Sequence, residues 1–75
     1  MNRKDLEFFV NKKVEVAVPH LFLSRPYFYY GIIKRLTEEN LTLDQVNKQG
    51  KHKGTIDIPI KNIIHVKSRN WEVVQ

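Results

Sequence analysis

Residues 27–43 read YFYYGIIKRLTEENLTL, and this stretch decides the fold of the chain. Its first half is dense in aromatic and β-branched residues, which favour strands, and its last third alternates between apolar and polar residues. The polar segment 37–40 separates the two parts. The stretch therefore predicts two strands joined by a short turn.

Gly31 lies in the middle of the first of these strands. Glycine weakens a strand interior because it has no side chain to pack, unless the strand bends sharply there or another backbone comes close. A strand that bends in its middle contributes to two sheets, which allows a short chain to close a small barrel. Gly31 therefore predicts a bend in the central strand of a barrel.

A strict two-residue period over residues 13–18 predicts the first strand, with three valines on one face. The opposite face carries Lys13, Glu15 and Ala17. Pro19 breaks this period, so a bulge or an irregular crossing is expected before a turn at residues 24–26. These features lengthen the connection to the aromatic strand.

The second half of the chain predicts a loop and two more strands. Residues 44–54 contain two glycines, three lysines and one aliphatic residue, which indicates an exposed, cationic hairpin loop. Alternating isoleucines over residues 55–60 predict a strand, and Pro59 places that strand at an edge because proline donates no hydrogen bond. A tight turn at residues 61–62 then leads to a last short strand at 63–66.

A short helix precedes the strands, because Leu6, Phe9 and Val10 recur at helical spacing and Asn2 is a suitable N-cap. The predicted fold class is all-β with one N-terminal helix: a small, strongly bent, five-stranded antiparallel barrel. We expect a single domain over residues 1–75, with the helix at about 2–11, the barrel at about 13–67 and a tail at 68–75. In the tail, Trp71, Val73 and Val74 are expected to fold back onto the barrel or onto an adjoining subunit.

The composition restricts the class of partner. Thirteen Lys and Arg residues against eight Asp and Glu residues give a formal charge of +5, which favours polyanions such as nucleic acid. Without cysteine there is no disulfide or thiolate metal site, and His20, His52 and His65 lack the spacing of a zinc motif. We therefore expect no metal and no cofactor.

No segment approaches the ~20 apolar residues that span a bilayer, and the N-terminus has no long apolar run. The expected location is the cytoplasm, without a membrane partner. Catalysis is not expected either, because no nucleophile lies next to a base and Glu38 and Glu39 are neighbours on one turn, where their side chains point apart.

The spacing from Gly31 through Leu36 to Leu41, after a leading helix, resembles the first signature of Sm-like proteins. Within that superfamily it is most similar to the host factor Hfq family. At the place of the second signature, Lys61 matches the lysine of the family and Asn62 stands where a histidine is usual. The acidic turn at residues 37–40 and the long connection at residues 19–26 differ from the family.

The resemblance implies a homo-oligomeric ring, a hexamer or heptamer, that binds single-stranded RNA rich in uridine or adenine as a riboregulator or RNA chaperone. A ring would bring every copy of Lys61 and Asn62 to the central hole, with Asn40 in the turn that the family uses for base contacts. The edge at Pro59 and the last strand would be paired between subunits, which removes two exposed strand edges.

Two further sets of residues are candidates for RNA binding. Rings stack on bases at about 1–3 kcal/mol each while cations follow the backbone. The first set is Arg25, Tyr27, Tyr29, Lys34 and Arg35. Its alternative interpretation is a packed interface with solvated cations. The second set is the loop lysines Lys48, Lys51 and Lys53, which either contact phosphates or are simply solvated.

A different class of function also fits the sequence. A small SH3-like barrel can act as a protein-interaction or ribosome-assembly module, similar to the C-terminal barrel of ribosome maturation factors. Its interaction patch would be Tyr27, Phe28, Tyr29 and Trp71. A monomer in solution would favour this interpretation over the ring.

Overall fold

The computed structural model of the chain describes residues 2–47 and 49–68. This part consists of a short N-terminal helix and five antiparallel strands, as predicted. The strands are β1 (Lys13–Val18), β2 (Tyr27–Leu36), β3 (Asn40–Val46), β4 (His52–Pro59) and β5 (His65–Ser68). They form one sheet in the order β4-β3-β2-β1-β5.

The sheet is open in the described residues, because β4 and β5 are its two edges and no pairing joins them. The predicted closure into a barrel within one chain is therefore not observed. A single 3-10 turn, Ile60–Asn62, carries the chain from β4 towards β5. Since β5 has only four residues and pairs with β1, it does not reach across to β4.

Gly31 lies in β2 where the backbone of β3 comes close, which is one of the two predicted reasons for a glycine there. A Cβ atom at this position would lie 2.8 Å from the carbonyl carbon of Asp44 and 3.0 Å from the Cα of Gln45. The pairing of β2 with β3 also shifts register between Ile33 and Arg35. Such a bulge bends a strand and increases its twist.

The predicted helix at 2–11 divides into one α-helical turn, α1 (Arg3–Leu6), and a 3-10 turn, Glu7–Phe9. The Asn2 side chain accepts a hydrogen bond from the Asp5 amide at 3.0 Å, so the predicted N-cap is confirmed. Leu6 is fully buried and fixes this element on the sheet. Asn11, in the left-handed region with φ 67°, ends the element, and its amide donates to Ile33 O at 2.8 Å.

On the face of β1 opposite the valines, Glu15 and Ala17 are buried and Lys13 is exposed. Glu15 is 5% exposed and Ala17 is fully buried. β1 is paired along both edges, by β2 and by β5, so side chains of two neighbouring strands flank the side chains of β1. Phe28 on β2 and His65 on β5 both stand opposite Ala17, and directly opposed residues share a face.

The predicted loop at 44–54 is shorter than expected, because β3 continues to Val46 and β4 begins at His52. Asn47 makes the tight connection possible. Its backbone amide donates to Lys51 O at 2.9 Å, and its side-chain oxygen accepts from the amides of Gln49 and Lys51. Because the Asn47 side chain accepts hydrogen bonds from amides of the turn, the β3–β4 pairing continues almost to the turn.

One apolar core holds the helix, the sheet and the 3-10 turn together. The last predicted strand begins two residues later than expected, at His65, and Ile63 before it is buried. The fully or almost fully buried core residues are Leu6, Val14, Val16, Ile33, Leu41, Leu43, Ile58, Ile60, Ile63 and Val66. The predicted tail residues Trp71, Val73 and Val74 lie outside the described residues.

Candidate nucleic-acid interface

An open groove forms where α1, the β2–β3 turn and the Ile60–Asn62 turn meet. The β2–β3 turn is held by Thr37, whose amide donates to Asn40 O at 2.9 Å and whose hydroxyl oxygen accepts from the Asn40 amide at 3.0 Å. The Ile60 amide donates to Glu39 O at 2.8 Å and ties the two turns together. The groove is therefore built on hydrogen-bonded backbone.

Two of the predicted RNA-binding residues, Asn40 and Lys61, line this groove together. They are far apart in sequence and are brought together because β3 pairs with β4, with Asn40 opposite Pro59. Asn62 follows in the same 3-10 turn as Lys61 and is exposed, but it does not line the groove. The structure thus assembles part of the predicted site within one chain.

The charges in the groove are balanced. Three basic and three acidic side chains contribute to its walls: Arg3, Lys4, Lys61, Glu7, Glu38 and Glu39. Arg3 Nη1 lies 3.0 Å from Glu38 Oε1, and both side chains are largely exposed. An exposed pair of this kind adds little stability, but it neutralises charge locally. Within one chain, the groove therefore offers polar contacts without a net attraction for phosphate.

The predicted set of tyrosines and cations is split between the two ends of β2. Tyr27 and Tyr29 lie at its start, with ring centroids 4.8 Å apart, and Arg25 is exposed just before them. Lys34 and Arg35 lie near its end. Eight residues of strand separate Tyr27 from Arg35, which corresponds to roughly 25 Å. The five residues therefore do not form one site.

The two tyrosines differ in exposure. Tyr27 is 47% exposed, whereas Tyr29 is partly buried and packs against the core. Tyr29 stands opposite Val16, whose side chain is fully buried, so its ring faces the core side of the sheet. Tyr27 is exposed enough to stack on a base. Tyr29 instead fits the alternative interpretation, in which the ring packs against other residues of the protein.

The second cationic set lies at the β3–β4 turn. Lys51 and Lys53 are exposed there, and Lys48 lies outside the described residues. His52 Nδ1 contacts Asp44 Oδ1, which joins the first residue of β4 to β3. This end of the sheet is separate from the groove, since the two ends of β3 carry Asn40 and Val46.

His20 and His65 contact other groups of the protein. His20 Nδ1 accepts a hydrogen bond from the Phe22 amide at 3.1 Å, and His65 Nε2 lies 3.6 Å from the buried Glu15 carboxylate. In the part of the chain that the structure describes, no three His, Cys, Asp or Glu side chains converge to hold a metal ion. None of the helical segments in that same part has the length and apolar character that crossing a bilayer requires.

Sequence reasoning did not find two features of this surface. Arg3 and Lys4 line the groove, but nothing in the sequence places the N-terminal helix beside the β2–β3 turn. The sequence predicted a long connection at residues 19–26 with a bulge or an irregular crossing, but it did not indicate that the apolar residues 21–23 are exposed. Their position between two prolines, Pro19 and Pro26, is the sequence signal for a loop outside the sheet.

Comparison of the chain with protein-family models, curated proteins and solved structures gave no match.

Proposed function

We propose that this chain is a non-catalytic RNA-binding protein of the Sm-like, Hfq-related type, which assembles into a homo-oligomeric ring and holds single-stranded RNA. The observation that carries the proposal is the open sheet, whose edge strands are β4 and β5. A free strand edge is a template for pairing with another chain. Two such edges on one subunit allow head-to-tail pairing, and a closed set of copies is a ring.

The edges are suited to copies of the same chain. Pro59 ends β4, where a missing amide is tolerated at an edge, and β5 begins at His65 a few residues later. Pairing β4 of one copy with β5 of the next would also bury surface that a single small chain leaves exposed to water. Each Lys61 and Asn62 lies between the two edges and would recur around the assembly.

The net charge of the chain and the Asn40–Lys61 pair support RNA as the ligand. The chain has a formal charge of +5, and Asn40 and Lys61 lie together in one groove. An amide can hydrogen-bond a base edge and a lysine can contact phosphate, so the pair suits single-stranded RNA, whose bases are unpaired. Exposed Tyr27 is a further stacking position. The proposed location is the cytoplasm, where such RNA occurs.

The first test is the mass of the protein in solution. We expect light scattering coupled to size exclusion to give six or seven times the chain mass of 8.9 kDa. Labelled oligo-U and oligo-A should bind, with affinity that falls steeply as salt is raised, because phosphate contacts release counterions. Exchange of Lys61 and Asn62 for alanine should weaken RNA binding about tenfold without changing the mass.

A second candidate function is a monomeric SH3-like protein-interaction module. It is favoured by exposed aromatic rings on β2, with Tyr27 at 47% and Phe28 at 38% exposure. A monomer mass at micromolar concentration, without binding to either oligonucleotide, would support this module and contradict the ring. Unchanged RNA binding in the Lys61→Ala, Asn62→Ala variant would exclude the groove as the RNA site.

A further inference from the structure

The connection between β1 and β2 exposes three consecutive bulky apolar side chains. Leu21 is 91% exposed, Phe22 is 88% and Leu23 is 50%. A single exposed apolar residue is common on protein surfaces, but a contiguous group indicates contact with another apolar phase. We call residues 21–23 the apolar tip. It is distant in sequence from the groove residues and is not used by the proposed RNA site.

The apolar tip has a defined conformation. His20 Nδ1 accepts a hydrogen bond from the Phe22 amide at 3.1 Å, and the His20 ring lies 6.3 Å from the Phe22 ring and 6.0 Å from the Tyr27 ring. Pro19 and Pro26 restrict the backbone at both ends of the connection. The hydrogen bond and the two prolines therefore restrict the loop conformation, and the side chains of residues 21–23 are exposed on it.

The charge next to the apolar tip is positive. Residues 19–26 contain one Arg and no Lys, Asp or Glu. Arg25 follows the tip directly and is exposed, and the half-exposed Tyr27 comes two residues later. Apolar side chains suit the hydrocarbon boundary of a bilayer, whereas a cation suits a headgroup phosphate and a tyrosine ring suits the interface.

We propose that the apolar tip inserts into the surface of an anionic lipid bilayer, with Arg25 at a headgroup phosphate and Tyr27 in the interface. Anionic lipids attract a chain of charge +5. A second copy fits less well, because the groove that it would offer is lined mainly by polar side chains. RNA also fits less well, because leucine side chains do not stack on bases. Peripheral contact of this kind requires no spanning segment.

The test is co-sedimentation of the full chain with vesicles of phosphatidylcholine alone or mixed with phosphatidylglycerol. We expect binding to the anionic vesicles that weakens with salt, and about tenfold weaker binding for the Leu21→Ser, Phe22→Ser variant. Arg25→Gln should reduce binding to the anionic vesicles and leave the weak binding to phosphatidylcholine unchanged.

The matched control is Phe8→Ser, which removes another exposed phenyl ring, on the N-terminal element. It should bind vesicles like the unmodified chain. The proposal is overturned if the unmodified chain does not sediment with anionic vesicles, or if the Leu21→Ser, Phe22→Ser variant sediments equally well. A fall in the solution mass of that variant without lipid would assign the tip to a second copy instead. The Leu21→Ser, Phe22→Ser variant keeps the proposed RNA-contacting residues Asn40, Lys61 and Tyr27, so its oligo-U titration distinguishes failure of this proposal from failure of the RNA site.

Discussion

At the scale of single residues, Gly31 determines how closely two strands approach. The β3 backbone at Asp44 and Gln45 occupies the space that a side chain at this position would need. A methyl group there meets main-chain atoms, which move only if the strands separate. Glycine is therefore required by close approach, and its φ angle does not lie in the left-handed region.

Replacement of Gly31 by alanine should destabilise the fold by about 2 kcal/mol or more, because overpacking against a backbone forces the β2–β3 ladder apart. Urea unfolding followed by circular dichroism measures this loss. Gly50→Ala is the matched control: its φ of 81° strains an alanine but no atom lies within 4 Å of the new methyl group. It should cost about 1 kcal/mol. Equal stability of Gly31→Ala and the unmodified chain would contradict the close approach.

At the scale of elements, the β2–β3 turn connects the fold to the proposed RNA site. Its backbone is fixed by Thr37 and by the bond from Ile60 to Glu39 O, while the Glu38 carboxylate pairs with Arg3 of α1. The Arg3–Glu38 pair is exposed, so it contributes little to stability. Its main consequence is a groove without net charge.

Glu38→Gln should raise the affinity for oligo-U roughly threefold at low salt, because it removes one negative charge and releases Arg3 for phosphate. The free energy of unfolding should change by less than about 1 kcal/mol. Fluorescence anisotropy at two salt concentrations measures the affinity.

The control for Glu38→Gln is Asp5→Asn, which makes the same charge change on α1 at a residue that does not line the groove. An equal rise in both variants would show that only the net charge acts, and would remove the groove from the RNA site.

At the scale of the whole molecule, the open sheet leaves a small chain with two strand edges. A single copy of 75 residues buries a limited core, since a domain of this size removes only roughly 60–65% of its unfolded surface from water. In the proposed ring, pairing between copies adds burial to a chain that has no disulfide. Folding and assembly are then expected to be coupled.

The thermal midpoint should therefore rise with protein concentration, by roughly 5–10 °C over a hundredfold range, because association stabilises the folded state by mass action. Scanning calorimetry at several concentrations measures the midpoint. A midpoint independent of concentration, together with a monomer mass, would exclude the ring.

Local pattern in the sequence predicted those features that depend on neighbours in the chain. The strand at residues 13–18, the polar turn at 37–40 and the cap at Asn2 all appear as expected. Each depends on interactions within a few residues, so the sequence contains the necessary information. The loop at 44–54 was predicted too long because its composition is polar and gave no sign of strands. The β3–β4 pairing in fact extends to Val46 and His52.

Tertiary structure alone decided which surfaces are covered and which groups meet. Glu15 and Ala17 lie on the face of β1 opposite the valines, and they are buried because β2 and β5 flank β1 on both sides. The groove joins Arg3 to Glu38 across 35 positions of sequence. The amino-acid sequence by itself determined the strands, their order along the chain and the cationic character. Only the long-range pairing of those strands left the sheet open and the apolar tip exposed, since burial depends on which strands become neighbours.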